Sequence, residues 1–331
     1  MASINDVAKL AGVSTSTVSK VLNNYRNISE KTRDKVLHAA AELNYVPNAI
    51  ASALSSKNEK RIGVVIFINL ERQAIDEINM QYLFGSFHQA QQLGLEVITV
   101  FSSVFEKMNK NEIIQHFRSQ RIQTIIMYGL HKEEKRFKEI IDEQIFKMIL
   151  IDVPISGEKT SYLMVNHRQA QYDIAKAMIL ENKTPVKKLL YLAGRHDGYV
   201  TDLRLQGVKE VCNELNVELT YHYAEFSEKL AKEIVMEHGQ QTDVVVCASD
   251  LMAIGAVSAL DDLQVFKPVC GYDGIKLLGY VDYRIKTVHQ NFFKIAESAM
   301  CEAKRLIDGE KGRSLILDYQ IGPVKYEDVI L

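Results

Sequence analysis

Asp6-Val-Ala-Lys-Leu-Ala-Gly-Val-Ser-Thr-Ser-Thr-Val-Ser-Lys-Val-Leu-Asn23 is the stretch on which the reading of this chain turns. Ser3 and Asp6, three apart, make a capping-box-like start. Ile4, Val7, Ala8 and Leu10 follow with apolar periodicity, and Ala11-Gly12 stops the helix, because Gly12 can take a positive φ in a tight turn. Ser14 is placed to cap a second helix running from about Thr15 to Asn23. Val18, Val21 and Leu22 form its inner face; Thr15, Ser16, Ser19, Lys20 and Asn23 form its outer face. Ser29 caps a third helix, in which Val36, Leu37, Ala40 and Leu43 are predicted to bury against the first two. Two short helices joined by a glycine turn make a helix-turn-helix, whose second helix enters a major groove. Small hydroxyl side chains at its start suit close approach to base edges, and Lys20 can donate to guanine or to a phosphate.

Charge supports this locally. The 331 residues carry a net charge of only −2. Residues 1–61 hold nine basic side chains against five acidic ones, +4, and the remainder holds 31 against 37, −6. A basic module is joined to an acidic body. Length and a 47% hydrophobic content exclude disorder and allow two or three domains. No apolar run is long enough for a membrane helix, and the start has no secretory pattern. Cys212, Cys247, Cys270 and Cys301 are widely spaced and contain no C-x-x-C pair, so a disulfide framework and a zinc ribbon are not expected and a reducing cytoplasm is.

The segment from Asp6 to Asn23 closely resembles the amino-terminal signature of the lac-repressor (LacI/GalR) family, as do Ser29-Glu-Lys-Thr-Arg33 and Leu43-Asn-Tyr-Val-Pro-Asn48. The likeness covers almost every position from 4 to 54. It implies a DNA reader in which Ser14, Thr15, Ser16, Thr17, Ser19, Lys20 and Asn23 lie on the nucleic acid, with Thr15, Ser16 and Lys20 where the family reads bases. Lys20 stands where arginine is frequent, and a lysine cannot make the bidentate fork. Pro47-Asn-Ala-Ile-Ala-Ser-Ala-Leu54 matches the family's hinge helix, which pairs with a second copy in the minor groove. Asn48, Ala51 and Leu54 are then DNA contacts, Leu54 as the wedge that unstacks a base step. So short a helix is marginal alone and is expected to form only on the dimer and DNA.

Beyond Arg61 the texture changes. Apolar runs at 62–68, 95–101, 124–128, 148–151, 188–192, 244–247 and 269–272 alternate with amphipathic stretches at 76–93, 110–120, 132–144, 167–182, 200–215, 226–238 and 250–264. Such alternation implies parallel sheets covered by helices, here two α/β lobes with a ligand cleft between them. The expected architecture is an all-α helix-turn-helix head plus an α/β body. The divisions are a reader at 1–46, a hinge helix and linker at 47–60, and a two-lobed effector-binding and dimerisation domain at 61–331.

The resemblance continues through Asp250-Leu-Met-Ala-Ile-Gly-Ala-Val-Ser-Ala-Leu260, Gly271-Tyr-Asp-Gly274 and Lys286-Thr-Val-His-Gln290, and likens the body to a periplasmic sugar-binding protein. Arg204-Leu-Gln-Gly207 matches the stretch carrying the family's effector-binding arginine. It implies that Arg204 and Asp273 fork onto ligand hydroxyls, a geometry suited to vicinal diols. Asp152, Phe226, Ser249 and Gln290 are further effector-binding candidates, and with no tryptophan present, Tyr82, Phe84 and Phe226 are candidates for ring stacking. The sequence departs from the pattern at Asn69-Leu-Glu-Arg-Gln-Ala74, Val165-Asn166 and Asp282-Tyr-Arg-Ile-Lys286, so effector identity does not carry over.

No G-x-S-x-G, P-loop, H-E-x-x-H or G-x-G-x-x-G motif occurs, so neither a catalytic residue nor a metal or cofactor site is assigned, and His196-Asp197 reads as a surface pair. The expected function is a cytoplasmic repressor of carbohydrate-use genes. It binds a near-palindromic double-stranded operator as a homodimer, is gated by a sugar or sugar derivative, and has no membrane partner. A phosphocarrier-type protein or a nucleobase is the alternative effector, and a sugar-processing enzyme is the more distant reading. The chain ends without a heptad tail, so no tetramer is expected.

Overall fold

In a computed structural model the structure describes residues 2–22, 28–43, 45, 61–67, 77–281 and 285–325. They form two compact units, one within residues 1–58 and one within 59–331. Expectations at Asn23, Asn48, Ala51, Leu54, residues 69–74 and residues 282–284 lie outside the described residues.

The first unit contains α1 (Ile4–Ala11), α2 (Thr15–Leu22) and α3 (Glu30–Glu42). Ser3 and Asp6 close a capping box: Ser3 Oγ accepts from the Asp6 N–H at 3.3 Å, and Asp6 Oδ2 accepts from the Ser3 N–H at 2.9 Å. These bonds to Ser3 hold the Asp6 carboxyl below its ordinary pKa. Gly12 ends α1 at φ +65°, and its N–H donates to the Ala8 and Lys9 carbonyls. Val7, Ala8, Ala11, Val18, Val21, Val36, Ala39 and Ala40 form the small core. Leu37 is not in it; the side chain is 48% exposed, because Ala39 and Ala40 complete the inward stripe of α3.

The second unit holds two six-stranded sheets. Lobe 1 is built on β1 (Arg61–Ile66), β2 (Glu96–Phe101), β3 (Thr124–Tyr128), β4 (Lys147–Ile151), β5 (Thr160–Val165) and β11 (Ser314–Leu317), in the order β11-β5-β4-β3-β1-β2, all parallel. Lobe 2 is built on β6 (Lys188–Ala193), β7 (Glu218–Tyr223), β8 (Val244–Cys247), β9 (Val269–Cys270), β10 (Lys286–His289) and β12 (Gln320–Pro323), in the order β12-β10-β9-β8-β6-β7, with only β12 antiparallel. The helices are α4 (Glu77–Leu93), α5 (Lys110–Ser119), α6 (Lys135–Asp142), α7 (His167–Leu180), α8 (Tyr199–Leu215), α9 (Glu228–His238), α10 (Asp250–Asp262), α11 (Leu278–Val281) and α12 (Phe292–Ile307).

Strand alternation assigns each lobe-1 side chain to a face. Ile62, Val64 and Ile66 of β1 join a core with Tyr82 of α4 and with Phe292, Ile295, Ala299 and Met300 of α12. Val65 joins the opposite core with Ile113 and Phe117 of α5 and Phe137 and Ile140 of α6. Helix α12, unforeseen from sequence, thus follows a lobe-2 strand but packs on lobe 1. Its apolar positions 292, 295, 296, 299, 300, 303 and 306 do carry the helical period. Strand β7 was unforeseen for a different reason: at the sheet edge it keeps Glu218, Tyr221 and Tyr223 exposed and makes no apolar run. The chain crosses between lobes at Asn166, at Gln290-Asn291 and between β11 and β12. Asn166 and Asn291 cap the helices that follow, accepting from the N–H groups of Gln169 and Lys294.

Candidate DNA-reading helix and effector cleft

In the first unit, Ser14 Oγ accepts from the Thr17 N–H at 3.2 Å and so caps α2. Thr15, Ser16 and Lys20 are exposed, with Thr17 and Ser19 partly so, while Val18 and Val21 are buried beneath them. The helix therefore presents two or three turns of small hydroxyls and one cation to solvent, in the pattern a groove-reading helix needs.

In the second unit, a cavity of about 270 Å³ opens between the lobes. Both sheets reverse their winding beside their first strand, between β1 and β3 and between β6 and β8, and ligands of such sheets sit at the carboxyl ends beside that point. The walls obey this: Phe67 follows β1, Gly129 to His131 follow β3, Arg195 follows β6 and Ser249 follows β8.

Five of the six effector-binding candidates, Asp152, Arg204, Phe226, Ser249 and Asp273, line the cavity. Asp152, Phe226 and Asp273 sit at φ +63°, +56° and +124°, conformations costly for side-chain-bearing residues and commonest at functional sites. Gln290 does not line it; its Nε2 donates to Asp273 Oδ1 at 3.1 Å, so it orients a wall residue. Ser249 Oγ accepts from the Met252 N–H and caps α10. Tyr82 lines the cavity, stacked on Tyr128 at 4.2 Å, but Phe84 is 56% exposed and lies outside the wall.

Arg204 is the centre of the polar set. It is 4% exposed, and its guanidinium carbon lies 3.7 Å from the Tyr272 ring centroid. Nη1 donates to the Ala248 carbonyl and lies 3.8 Å from Asp273 Oδ1, while Nε is buried without a protein partner. Burial pushes the Asp273 carboxyl well above its ordinary pKa; Arg204 pulls it down and the neighbouring Asp250 pushes it further up. Burial also raises Asp250, to about 6, against bonds from Thr287 Oγ1 at 2.6 Å and the N–H groups of Gly274 and Ile275. Gly194 admits the Phe226 ring: a Cβ there would lie 2.1 Å from its tip.

Sequence reasoning missed a clasp across the cleft mouth. The Lys132 N–H of lobe 1 donates to the Asp197 carbonyl of lobe 2 at 2.9 Å, and His131 Nδ1 lies 3.0 Å from Asp197 Oδ2. Asp197 is 4% exposed, correcting the surface reading, and its carboxylate accepts Nε and Nη2 of Arg195 at 2.9 and 2.6 Å. Burial opposes its charge, but that fork and His131 hold its pKa below the ordinary value. Glu77 of lobe 1 adds a second tie, accepting from the Lys276 N–H at 2.9 Å.

A profile of bacterial regulatory proteins of the lacI family matches residues 3–48, and a periplasmic binding protein domain profile matches residues 80–311. The chain belongs to the lacI family. It is a DNA-binding transcriptional repressor of that family. The HTH-type transcriptional repressor PurR of Vibrio vulnificus (strain CMCP6) is 28% identical over 312 residues, covering 90% of each chain. The Ribose operon repressor of Haemophilus influenzae is 26% identical over 333 residues, covering 96% of each. The fold matches that of the lac repressor dimer bound to operator and the anti-inducer ONPF, with a TM-score of 0.79, 22% identity, and 98% and 99% of the two chains covered. It also matches the transcriptional regulator CelR–cellobiose complex, with a TM-score of 0.69, 19% identity and 97% and 98% covered. Among the described residues of this repressor no helix is long and apolar enough to cross a membrane, and no cluster of three His, Cys, Asp or Glu could hold a metal.

Proposed function

We propose that this repressor controls carbohydrate-use genes in the cytoplasm and that a small uncharged ligand, a sugar or sugar derivative, gates it from the inter-lobe cleft. It acts by binding, without turnover. The observation that carries the reading is the buried Arg204–Asp273 pair at the cavity wall, with Arg204 Nε unpaired: a planar donor group beside a carboxyl suits paired ring hydroxyls. Arg195 is occupied by Asp197, and Glu77, Asp152 and Glu225 also line the wall, so the cavity offers little to a phosphorylated ligand. The relative named as a ribose operon repressor points the same way.

The reader is residues 1–46, with Ser14, Thr15, Ser16, Thr17, Ser19, Lys20 and Asn23 on the operator. The hinge is 47–60, with Asn48, Ala51 and Leu54 in the minor groove, and the sensor is 61–331. Two copies bind a near-palindromic site as a homodimer. Ligand shifts the population between lobe arrangements and thereby changes operator affinity. A thermal-shift screen of sugars, sugar phosphates and nucleobases, followed by operator binding with each hit, tests this; operator affinity unchanged across the whole panel would sink it. A nucleobase is the second reading, favoured by the rings of Tyr82, Phe226 and Phe292 on the wall.

A further inference from the structure

His167 is fully buried at the first crossing between lobes, immediately after the Asn166 cap and at the first position of α7. Its ring touches both lobes. Nε2 lies 2.8 Å from Asp152 Oδ1, at the end of lobe-1 strand β4. Nδ1 lies 2.9 Å from Tyr272 Oη and 3.4 Å from Arg204 Nη2, both of lobe 2. We propose that His167 is a positioning residue that sets the orientation of Arg204 according to whether Asp152 is in place, and so links lobe closure to the ligand-binding arginine. The proposal deepens the reading of the cleft as the effector site and rests on it.

Donor and acceptor counting gives the link its direction. The only charged or titratable groups that contact the ring are Asp152, Tyr272 and Arg204, among the described residues. Burial, with Arg204, lowers the imidazole pKa against the pull of Asp152, so the ring is neutral and has one N–H. A carboxylate only accepts, so that hydrogen sits on Nε2. Nδ1 is then an acceptor whose single lone pair is shared by the Tyr272 hydroxyl at 2.9 Å and an Arg204 N–H at the longer 3.4 Å. With Nη1 held by the Ala248 carbonyl and Nη2 drawn to His167, the guanidinium plane is held on the Tyr272 ring, and Nε is left for the ligand. Separating the lobes removes Asp152 and with it the reason for the Nε2–H tautomer. The Nδ1–H form would point a hydrogen at Arg204 and abolish the acceptor that holds it.

The second crossing is built in parallel: Gln290 donates to Asp273 through both its backbone N–H and its Nε2, each at 3.1 Å. Each member of the Arg204–Asp273 pair is therefore oriented by a side chain seated where the chain passes between lobes.

The test needs no ligand, so it is decided even if every sugar and nucleobase fails to bind. In the full-length protein with ¹⁵N-labelled histidine, the resonances lost in His167→Asn identify His167. The expected spectrum shows a protonated Nε2 and an unprotonated Nδ1, and Asp152→Gly, which tolerates φ +63° and deletes the carboxylate, is expected to abolish that preference. An Nδ1–H ring in the wild type, or a tautomer unchanged in Asp152→Gly, overturns the proposal. Spin-label distances between Lys107→Cys and Lys229→Cys, in a Cys301→Ser background, read the lobes. His167→Gln places an amide near the Nε2 position and is expected to keep the wild-type distribution. His167→Asn, which serves only the Nδ1 side, is expected to broaden it. Identical distributions in the two variants would also overturn the link.

Discussion

Both lobes wind their first five strands in one order, yet the cleft walls they supply differ in kind. Lobe 2 brings Arg204, Asp273, Arg195 and Glu225, with Asp250 buried behind them. Lobe 1 brings Phe67, Ile78, Tyr82, Leu130 and Ile151 beside Glu77, His131 and Asp152, and receives Phe292 at the start of α12, edge-on to Tyr82 at 5.3 Å. The difference teaches what topology does and does not decide. Winding decides where strand ends converge; the residues just past those ends decide what the convergence can bind. Buried charge is costly unless fixed partners surround it. It is therefore gathered in the lobe where the N–H groups of Gly274 and Ile275, the Thr287 hydroxyl and the Ala248 carbonyl already stand. Three of the four strained residues at the wall, Glu225, Phe226 and Asp273, are in lobe 2 as well. Both wall arginines, Arg195 and Arg204, stand in lobe 2, so on the proposed reading lobe 2 orients a ligand and lobe 1 lays rings and aliphatic side chains over it.

The largest effect belongs to the centre of the polar wall. Arg204→Met keeps much of the side-chain volume and removes the guanidinium. Losing one partner of a buried, hydrogen-bonded pair costs about 2–5 kcal/mol, so ligand affinity is expected to fall on the order of 100-fold. Titration calorimetry with any ligand found by the screen checks this. An affinity within about threefold of wild type would mean that lobe 2 is not the orienting side.

Next come the glycines that let helices touch. In lobe 1 a Cβ on Gly85 would lie 2.3 Å from the Phe293 carbonyl oxygen, where α4 crosses α12; in lobe 2 one on Gly255 would lie 2.1 Å from that of Glu228, where α10 meets α9. Because backbone blocks both, Gly85→Ala and Gly255→Ala are each expected to cost about 3 kcal/mol. Calorimetric scans compare the lobes directly. Helix α12 belongs by sequence to one lobe and by packing to the other, so a single transition, lowered by either substitution, is expected. Two separate transitions would make the lobes independent cores.

Much of this was legible beforehand. The head could be read because capping residues, a glycine stop and an apolar stripe coincide within Ser3 to Leu22. Most buried strands could be read because parallel sheets covered on both faces need continuous apolar runs, but β5, which opens on Thr160-Ser161, and β10, which opens on Lys286-Thr287, could not. Arg204 and Asp273 were found through matching stretches and Asp152 as the residue that closes a strand near the cleft, and all three do line the cavity. What escaped has physical causes. An edge strand such as β7 carries no apolar run. Helix α12 had its period in plain view, but no pattern says which lobe a helix covers. His167 becomes a linkage only when Asp152, Arg204 and Tyr272, 15 to 105 positions away, are brought to it, and Asp197 only when His131, 66 positions away, is; neither lies in a spacing that announces chemistry.

Acidity offers a third comparison, since lobe 2 alone buries a cluster of acids. Asp250 has its folded pKa raised from the ordinary 3.8 to about 6 by burial. A carboxyl raised in the folded state contributes stability that is full below 3.8 and is lost as pH rises through about 6. The loss is on the order of 3 kcal/mol. Asp250→Asn lacks this slope, so its stability deficit against wild type, measured by urea unfolding, is expected to shrink as pH rises through that window. A deficit constant with pH would mean that the buried cluster ionises as freely as a surface acid.

The smallest expected effect probes the lobe-1 wall. Tyr82 is 5% exposed and stacked on Tyr128, whose hydroxyl bonds to Ser86 Oγ at 3.0 Å. If lobe 1 supplies ring surface and little else, Tyr82→Phe keeps the stack and loses only a hydroxyl. Its effect on ligand affinity is then expected to stay within about threefold, below the ~1 kcal/mol of an ordinary hydrogen bond. Tyr82→Leu, which removes the ring, is expected to lose several-fold more. A tenfold loss already at Tyr82→Phe would place a recognising hydroxyl in lobe 1, and the division of labour between an orienting lobe and a covering lobe would have to be withdrawn.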